Sequence, residues 1–411
     1  MPSSILKGPR AHSSKSGPIL VTASYVFDWA VLIVLGVTGY IMSGVSPNKR
    51  PFYLTDPNIS FPVTEPETVP NVLAGILVSA IPVGVIVIIC LVFVPGPTVP
   101  QGTPQALIWR RKLWELHVGL LGLGLSAAAT WFISNGMKNL YGKPRPDLLA
   151  RCIPDVENME KYIVGGNLIP GGRATALVSA DICTNPDSAV IDEGFRSFPS
   201  AHSSLSAASF IYLSLFIASK FAVTIPFLPP SSASDVDRNA RSAFPSRIPL
   251  TRESTDTTYY GAQDTAKHGG HGGGGTQKAA MAARRQAAAP PIYLLILALL
   301  PFFASIFIAS TRWFDFRHHG FDILFGYFIG TLVSIFSFRY YHLPISAGAG
   351  WAWAPRSPDK AFWAGIGSYS YATHKTSYAR TPDEEEGIEM EHHHDPRTEG
   401  LRSRENTHGS I

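Results

Sequence analysis

The chain has 411 residues, with 34 Lys and Arg against 30 Asp and Glu and a formal net charge of +4. So small an excess excludes the basic surface that nucleic acid demands, and no nucleic-acid partner is expected. Mean hydropathy is a modest +0.11, but the apolar residues come in long blocks, which excludes the dispersed core of a soluble protein.

In chain order, residues 1–18 read as a polar cytosolic tail carrying Lys7, Arg10 and Lys15 with no acid. The first apolar block is long enough to remain as a span, so no cleaved signal peptide is expected. A helix crossing a bilayer takes about 20 apolar residues at 1.5 Å each. The stretches 19–42, 72–94, 113–137, 203–223, 292–310 and 321–341 meet that length. The expected fold class is therefore all-α, an integral membrane protein with a six-transmembrane-helix bundle over 19–342. The fourth and last stretches are rich in small and polar residues. That composition favours close helix packing, so the fourth is expected inside the bundle. Asp28 lies within the first span, where an ionisable group is costly; its position toward the cytoplasmic half predicts a structural partner rather than catalysis.

Basic residues beside the spans set the orientation. The N-terminal tail, the loop ending in Arg110, Arg111 and Lys112, and the loop with Arg238, Arg241, Arg284 and Arg285 belong inside. The first, third and fifth loops then face the lumen or exterior, of an endomembrane compartment such as vacuole, Golgi or endoplasmic reticulum. Residues 225–289, with their His- and Gly-rich tract around His268 and His271, are too polar to bury a core and read as a disordered cytosolic insert. Residues 343–411 read as a disordered cytosolic tail. Asn58-Ile-Ser60 is a glycosylation sequon in an outside loop. Cys152 and Cys183 share the third loop; a bridge there would stabilise by about 3–4 kcal/mol, but sequence fixes no separation between them. Cys90, in an apolar span, reads as a packing residue.

Three segments emerge on the outside face by this assignment. They are Lys138 to Arg145-Pro146 after the third span, Arg196-Ser-Phe-Pro199-Ser200-Ala201-His202 before the fourth, and Thr311-Arg312 through His318-His319-Gly-Phe-Asp322 between the fifth and sixth. Lys138, Arg145 and Arg312 make a cradle for a phosphate dianion. Ser200 and the N–H groups at the start of the fourth helix add donors. His318 and Asp322, four apart, would share a helix face, so that the carboxylate fixes the imidazole tautomer and frees the other nitrogen to attack phosphorus. His319, three from Asp322, competes for that role. His202 would protonate the leaving oxygen and then activate water. Taken singly, each cation reads as a membrane anchor and Ser200 as a helix cap; spacing and sidedness together argue for a site. The scheme calls for no metal and no cofactor.

The three segments resemble the blocks of the type 2 phosphatidic acid phosphatase, or lipid phosphate phosphatase, superfamily. Lys138 to Pro146 matches the first block, and Arg312, His318 and Asp322 match the third, with Thr311 where Ser is usual. The second reads Pro199-Ser200-Ala201-His202, with Ala for Gly. The resemblance implies His318 as nucleophile in preference to His319, Asp322 as its partner, His202 as general acid, and Lys138, Arg145, Ser200 and Arg312 as phosphate ligands. Residues 50–56 and 193–198 also look like the fungal diacylglycerol pyrophosphate phosphatases. Phosphatidate, lysophosphatidate or diacylglycerol pyrophosphate is the expected substrate. The alternatives are a sphingoid-base phosphate or polyprenyl pyrophosphate phosphatase, or a weakly active lipid-binding scaffold if position 201 needs the φ freedom of glycine. The expected partners are a lipid phosphate and the membrane, with a homo-oligomer left open.

Overall fold

The computed structural model describes residues 16–96, 99–100, 102–166, 176–225, 289–345, 350–367 and 371. The insert expected at 225–289 falls almost wholly outside the described residues, as does the tail beyond 371. Helices α1 (Ser16–Gly44), α2 (Asn71–Ile88, continued by a π-helical turn Ile89–Phe93), α3 (Gln105–Tyr141), α6 (Ala201–Lys220), α7 (Ile292–Phe314) and α8 (Gly320–Tyr341) are long and apolar enough to cross a membrane. This is the architecture of a multi-pass membrane protein. Large apolar side chains such as Ile33, Val72, Leu300 and Leu324 are exposed, as lipid-facing positions should be.

Two compact units separate. One comprises the described parts of Met1–Val31, Cys90–Glu115 and Ala354–Ile411. In it Arg356 donates to Asp28 (2.6 Å) and Ser24 (3.3 Å) and lies over the Tyr25 ring. Asp28 thus has the structural partner expected of an ionisable residue in a span, supplied by a segment that the sequence reading assigned to the tail.

The second unit, Leu32–Ile89 and Leu116–Trp353, is built around α6. Its Ser and Ala residues are buried along most of the helix, as its small-residue composition predicts. Serine hydroxyls tie it to α3 without leaving polar groups in lipid: Ser126 donates to the Ala208 carbonyl (2.9 Å), and Ser134 meets Ser204 (2.8 Å). On α8, a Cβ at Gly326 would come within 2.6 Å of the Ser200 carbonyl, and one at Gly330 would strike the Ser204 carbonyl. These two glycines let α8 lie directly on α6, bringing the loop before each helix to one place.

The connections at that end form a small folded cap. Short helices α4 (Leu148–Cys152) and α5 (Ser188–Gly194) pack with an antiparallel sheet of order β1-β3-β2, made of Phe52–Tyr53 (β1), Ile163–Gly166 (β2) and Ala176–Val178 (β3). Phe52, Leu148, Val178, Ile182 and Phe195 fill its core. Cys152 and Cys183 are disulfide-bonded, which settles the pairing that sequence left open. The sheet is an addition to the all-helical expectation.

Candidate active site

All seven candidate residues belong to the second unit. Lys138 is in the last turn of α3, and Arg145 follows in the stretch leading to α4. Ser200 is the N-cap of α6, its hydroxyl accepting from the Ser203 N–H (3.5 Å), and His202 sits in the first turn. Arg312 ends α7, and His319 caps α8. The α6 and α8 starts are stitched together: the Ser200 N–H donates to the Asp322 carbonyl (3.1 Å), and the Ser203 hydroxyl donates to the Ile323 carbonyl (2.7 Å).

His318 is buried, and its Nδ1 lies 2.6 Å from the Ser197 carbonyl oxygen. A carbonyl only accepts, so Nδ1 carries the proton. Burial, reinforced by the charges of Arg145 and Lys138, holds the ring well below the ordinary imidazole range. The ring is therefore neutral near pH 7, and Nε2 keeps its lone pair. Across the site, His202 has Arg312, Lys138, Arg145 and Glu193 as charged neighbours. His202 Nε2 and Arg145 Nε are buried with no hydrogen-bond partner among the described residues, a condition rare outside functional sites.

Asp322 is not where spacing alone put it. His318 precedes α8, so the two residues do not share a helical face, and no hydrogen bond joins them. Asp322 is instead the third residue of α8 and closes a capping box with His319: its carboxylate accepts from the His319 N–H (3.2 Å) and also meets His319 Nδ1 (3.1 Å). The same carboxylate accepts from Lys143 Nζ (2.7 Å) and from the Ser197 hydroxyl (2.6 Å). It thus fixes the residue whose carbonyl holds His318, one step removed from the imidazole.

Arg312 is more committed than a free anion ligand. Nε bonds Thr311, Nη1 bonds Glu67 (2.8 Å), and Nη2 bonds both the Val69 carbonyl (2.9 Å) and Asp315 (2.8 Å). Of its five N–H groups a single Nη1 hydrogen remains. Glu67 also pairs with Arg317 (2.7 Å), which reaches Asp147 (3.4 Å), itself paired with Arg151 (2.8 Å). Arg145 pairs with Glu193 (2.5 Å). Burial raises the Glu193 carboxyl, but Arg145, Lys138, Arg196 and Arg151 outweigh it and leave the group below its usual value. The Lys138 ammonium makes no hydrogen bond among the described residues, while its main-chain carbonyl accepts from the Gly142 N–H (3.1 Å).

Ala201 opens α6 with an ordinary backbone, since the non-glycine residues with positive φ are Ile153, Ala222 and Phe316 among those described. Position 201 does not need the φ freedom of glycine. Sequence reasoning did not single out Ser197, Lys143, Glu67 or Asp315. Glu193 and Ser197 lay within a stretch noticed for its resemblance, but nothing local marked their partners.

Residues 119–345 match the family model described as the PAP2 superfamily. The chain belongs to the PAP2 superfamily. It is similar to a PA-phosphatase related-family protein of Dictyostelium discoideum, at 32% identity over 48% of this chain and 53% of that protein. It also resembles Diacylglycerol pyrophosphate phosphatase 1 of Saccharomyces cerevisiae, at 24% identity over 77% of this PAP2 chain and 80% of the relative. Probable diacylglycerol pyrophosphate phosphatase 1 of Schizosaccharomyces pombe is 33% identical over 50% and 67%. The PAP2 chain spans about half the length of several curated relatives it matches. No solved structure matches it.

Proposed function

We propose that this PAP2 protein is a phosphoric monoester hydrolase acting on phosphatidate, lysophosphatidate or diacylglycerol pyrophosphate through a phosphohistidine, at the lumenal or extracellular face of an endomembrane. The observation that carries the reading is the neutral, buried His318, its Nδ1 given to a main-chain carbonyl and its ring within electrostatic reach of Arg145, Lys138 and His202. The names of the relatives agree with a lipid phosphate as substrate.

In this mechanism Lys138, Arg145, the Ser200 hydroxyl and the remaining Nη1 hydrogen of Arg312 hold the phosphoryl oxygens and stabilise their charge in the transition state. His318 Nε2 forms a bond to phosphorus as the bond to the lipid oxygen breaks. His202, whose protonated form the bound phosphate dianion favours against the surrounding cations, gives that oxygen its proton, releasing the lipid alcohol, or phosphatidate when the substrate is diacylglycerol pyrophosphate. Water then attacks phosphorus, His202 taking its proton, and the N–P bond breaks to return His318 and free phosphate. Asp322, with Lys143, is a positioning residue that holds Ser197. No metal takes part.

Two features favour the lumenal side. Basic residues flank the opposite ends of the spans, and the Cys152–Cys183 bond belongs to an oxidising compartment. Asn58 supplies a marker, since its carbonyl lies 3.2 Å from His319 Nε2; a glycan at Asn58 reports the side of the site itself. The decisive assay measures phosphate release from purified protein with each lipid in EDTA, wild type against His318→Asn. We expect activity to survive EDTA and to fall at least about 10³-fold in the variant. Loss with EDTA, or turnover in the variant, would refute the mechanism.

A further inference from the structure

Arg145 comes to the candidate site with one side already engaged. Its Nη2 faces two acceptors, Glu193 Oε1 at 2.5 Å and the Arg196 carbonyl at 3.5 Å. Its Nε is buried and has no partner among the described residues. Nε and Nη2 share one edge of the guanidinium, an edge that can hold two phosphate oxygens in fork geometry. Half of that fork is open, and the other half is taken by a carboxylate.

Glu193 has somewhere to go. The main chain around it is pinned to the Arg145 segment, because the Arg145 N–H donates to the Gly194 carbonyl (2.8 Å) and the Ser197 N–H to the Lys143 carbonyl (3.0 Å). Its side chain, by contrast, is 35% exposed, and its Oε2 lies 3.8 Å from Arg196 Nη1. Arg196 is itself held in place by the Val45 carbonyl, 2.6 Å from Nη2. A rotation of the Glu193 side chain alone therefore passes the carboxylate from one guanidinium to the next. The charges acting on it, from Arg145, Lys138, Arg196 and Arg151, are all positive, so it keeps an ionic partner in both positions.

We propose that Glu193 holds the place of the phosphoryl group in the free site, and that an arriving phosphate displaces it from Arg145 onto Arg196, a proposal that rests on reading Lys138 and Arg145 as phosphate ligands. A phosphate dianion brings two charges and three oxygens to the cradle against one charge and two oxygens for the carboxylate, so it wins the exchange. A singly charged anion gains little over the contact it must break and is turned away. After hydrolysis the same carboxylate competes with the product for Arg145, which favours release of phosphate.

The probe is inorganic phosphate, its dissociation constant read by calorimetry on the purified full chain, so that binding is measured without turnover. Glu193→Gln keeps the size of the side chain, removes its charge, and should tighten phosphate about fivefold or more. Glu193→Asp keeps the charge but reaches Arg145 less well, and should tighten it by a smaller factor. Asp192→Asn removes the neighbouring carboxylate, paired with Lys49 at 2.7 Å, and should shift the constant by less than about twofold. Arg196→Met removes the landing place; it should weaken phosphate about fivefold in the wild type and less than about twofold in Glu193→Gln, where nothing has to land. Weaker binding in Glu193→Gln would make Glu193 a mere holder of Arg145 and overturn the proposal. An Arg196→Met effect of equal size in both backgrounds, equal tightening in Asp192→Asn, or no phosphate binding in any form would overturn it too. Tightening in Glu193→Gln beside a wild type that hydrolyses no lipid would uphold the exchange and sink the phosphatase reading alone.

Discussion

Two groups of cations stand side by side in this protein and are built on opposite plans. Arg312, Arg317 and Arg151 are bound to Glu67, Asp315 and Asp147, so their charge is spent on holding the loop before α2, the end of α7 with the loop after it, and α4 to one another. Lys138 makes no such bond, and Arg145 keeps a buried Nε without a partner. The first group resembles a structural ion network; in the second, one carboxylate, Glu193, faces both cations, and Lys138 is left without an ion pair of its own among the described residues. The family pattern puts Arg312 with the phosphate ligands, but its hydrogen bonds put it largely with the scaffold.

Substitution should separate the two plans. Lys138→Ala should cut kcat/KM by about 10²–10³-fold and leave the melting temperature nearly unchanged. Arg317→Ala strips a partner from Glu67 and from Asp147, and should cost about 3–5 kcal/mol of stability, read as a lower melting temperature. A large stability loss in the first variant, or none in the second, would erase the distinction. Lys143→Met removes one clamp from Asp322 and should lower kcat roughly 10-fold with KM little changed; an effect confined to stability would make Lys143 structural.

The electrostatic contrast also gives a pH dependence. His318 is held neutral, with a folded-state pKa below its unfolded value near 6.5. As pH falls through that unfolded value, the unfolded chain takes up a proton that the folded chain refuses, so stability declines. Between pH 7 and pH 5 the wild type should lose several degrees more of melting temperature than His318→Asn; parallel curves would contradict the burial of a neutral ring. The smallest effect is expected at position 201. Ala201→Gly should change turnover by less than about threefold, because Ala201 already has an ordinary helical backbone. A large gain would reopen the question of an impaired native site.

Much of this arrangement was legible in one dimension. The six spans follow from apolar length, and the seven candidate residues follow from short fixed spacings. The cap sheet did not, because its strands are two to four residues long, too short for any periodic pattern. Glu67 and Arg312 are 245 positions apart, and no local signal links them. The error over Asp322 has a different origin. A four-residue spacing implies a shared face only inside a helix, and here the helix begins after His319, which draws Asp322 into its cap.

The group that orients His318 is the oxygen of a peptide bond. Any amino acid at 197 supplies that oxygen, so an alanine scan passes over it and a side-chain comparison between relatives cannot register it. Selection can act on it only through neighbours that fix the path of the main chain, here the Ser197 hydroxyl, Asp322 and Lys143. Replacing the carbonyl itself calls for backbone chemistry, such as a thioamide or ester at the 197–198 linkage, rather than a change of codon.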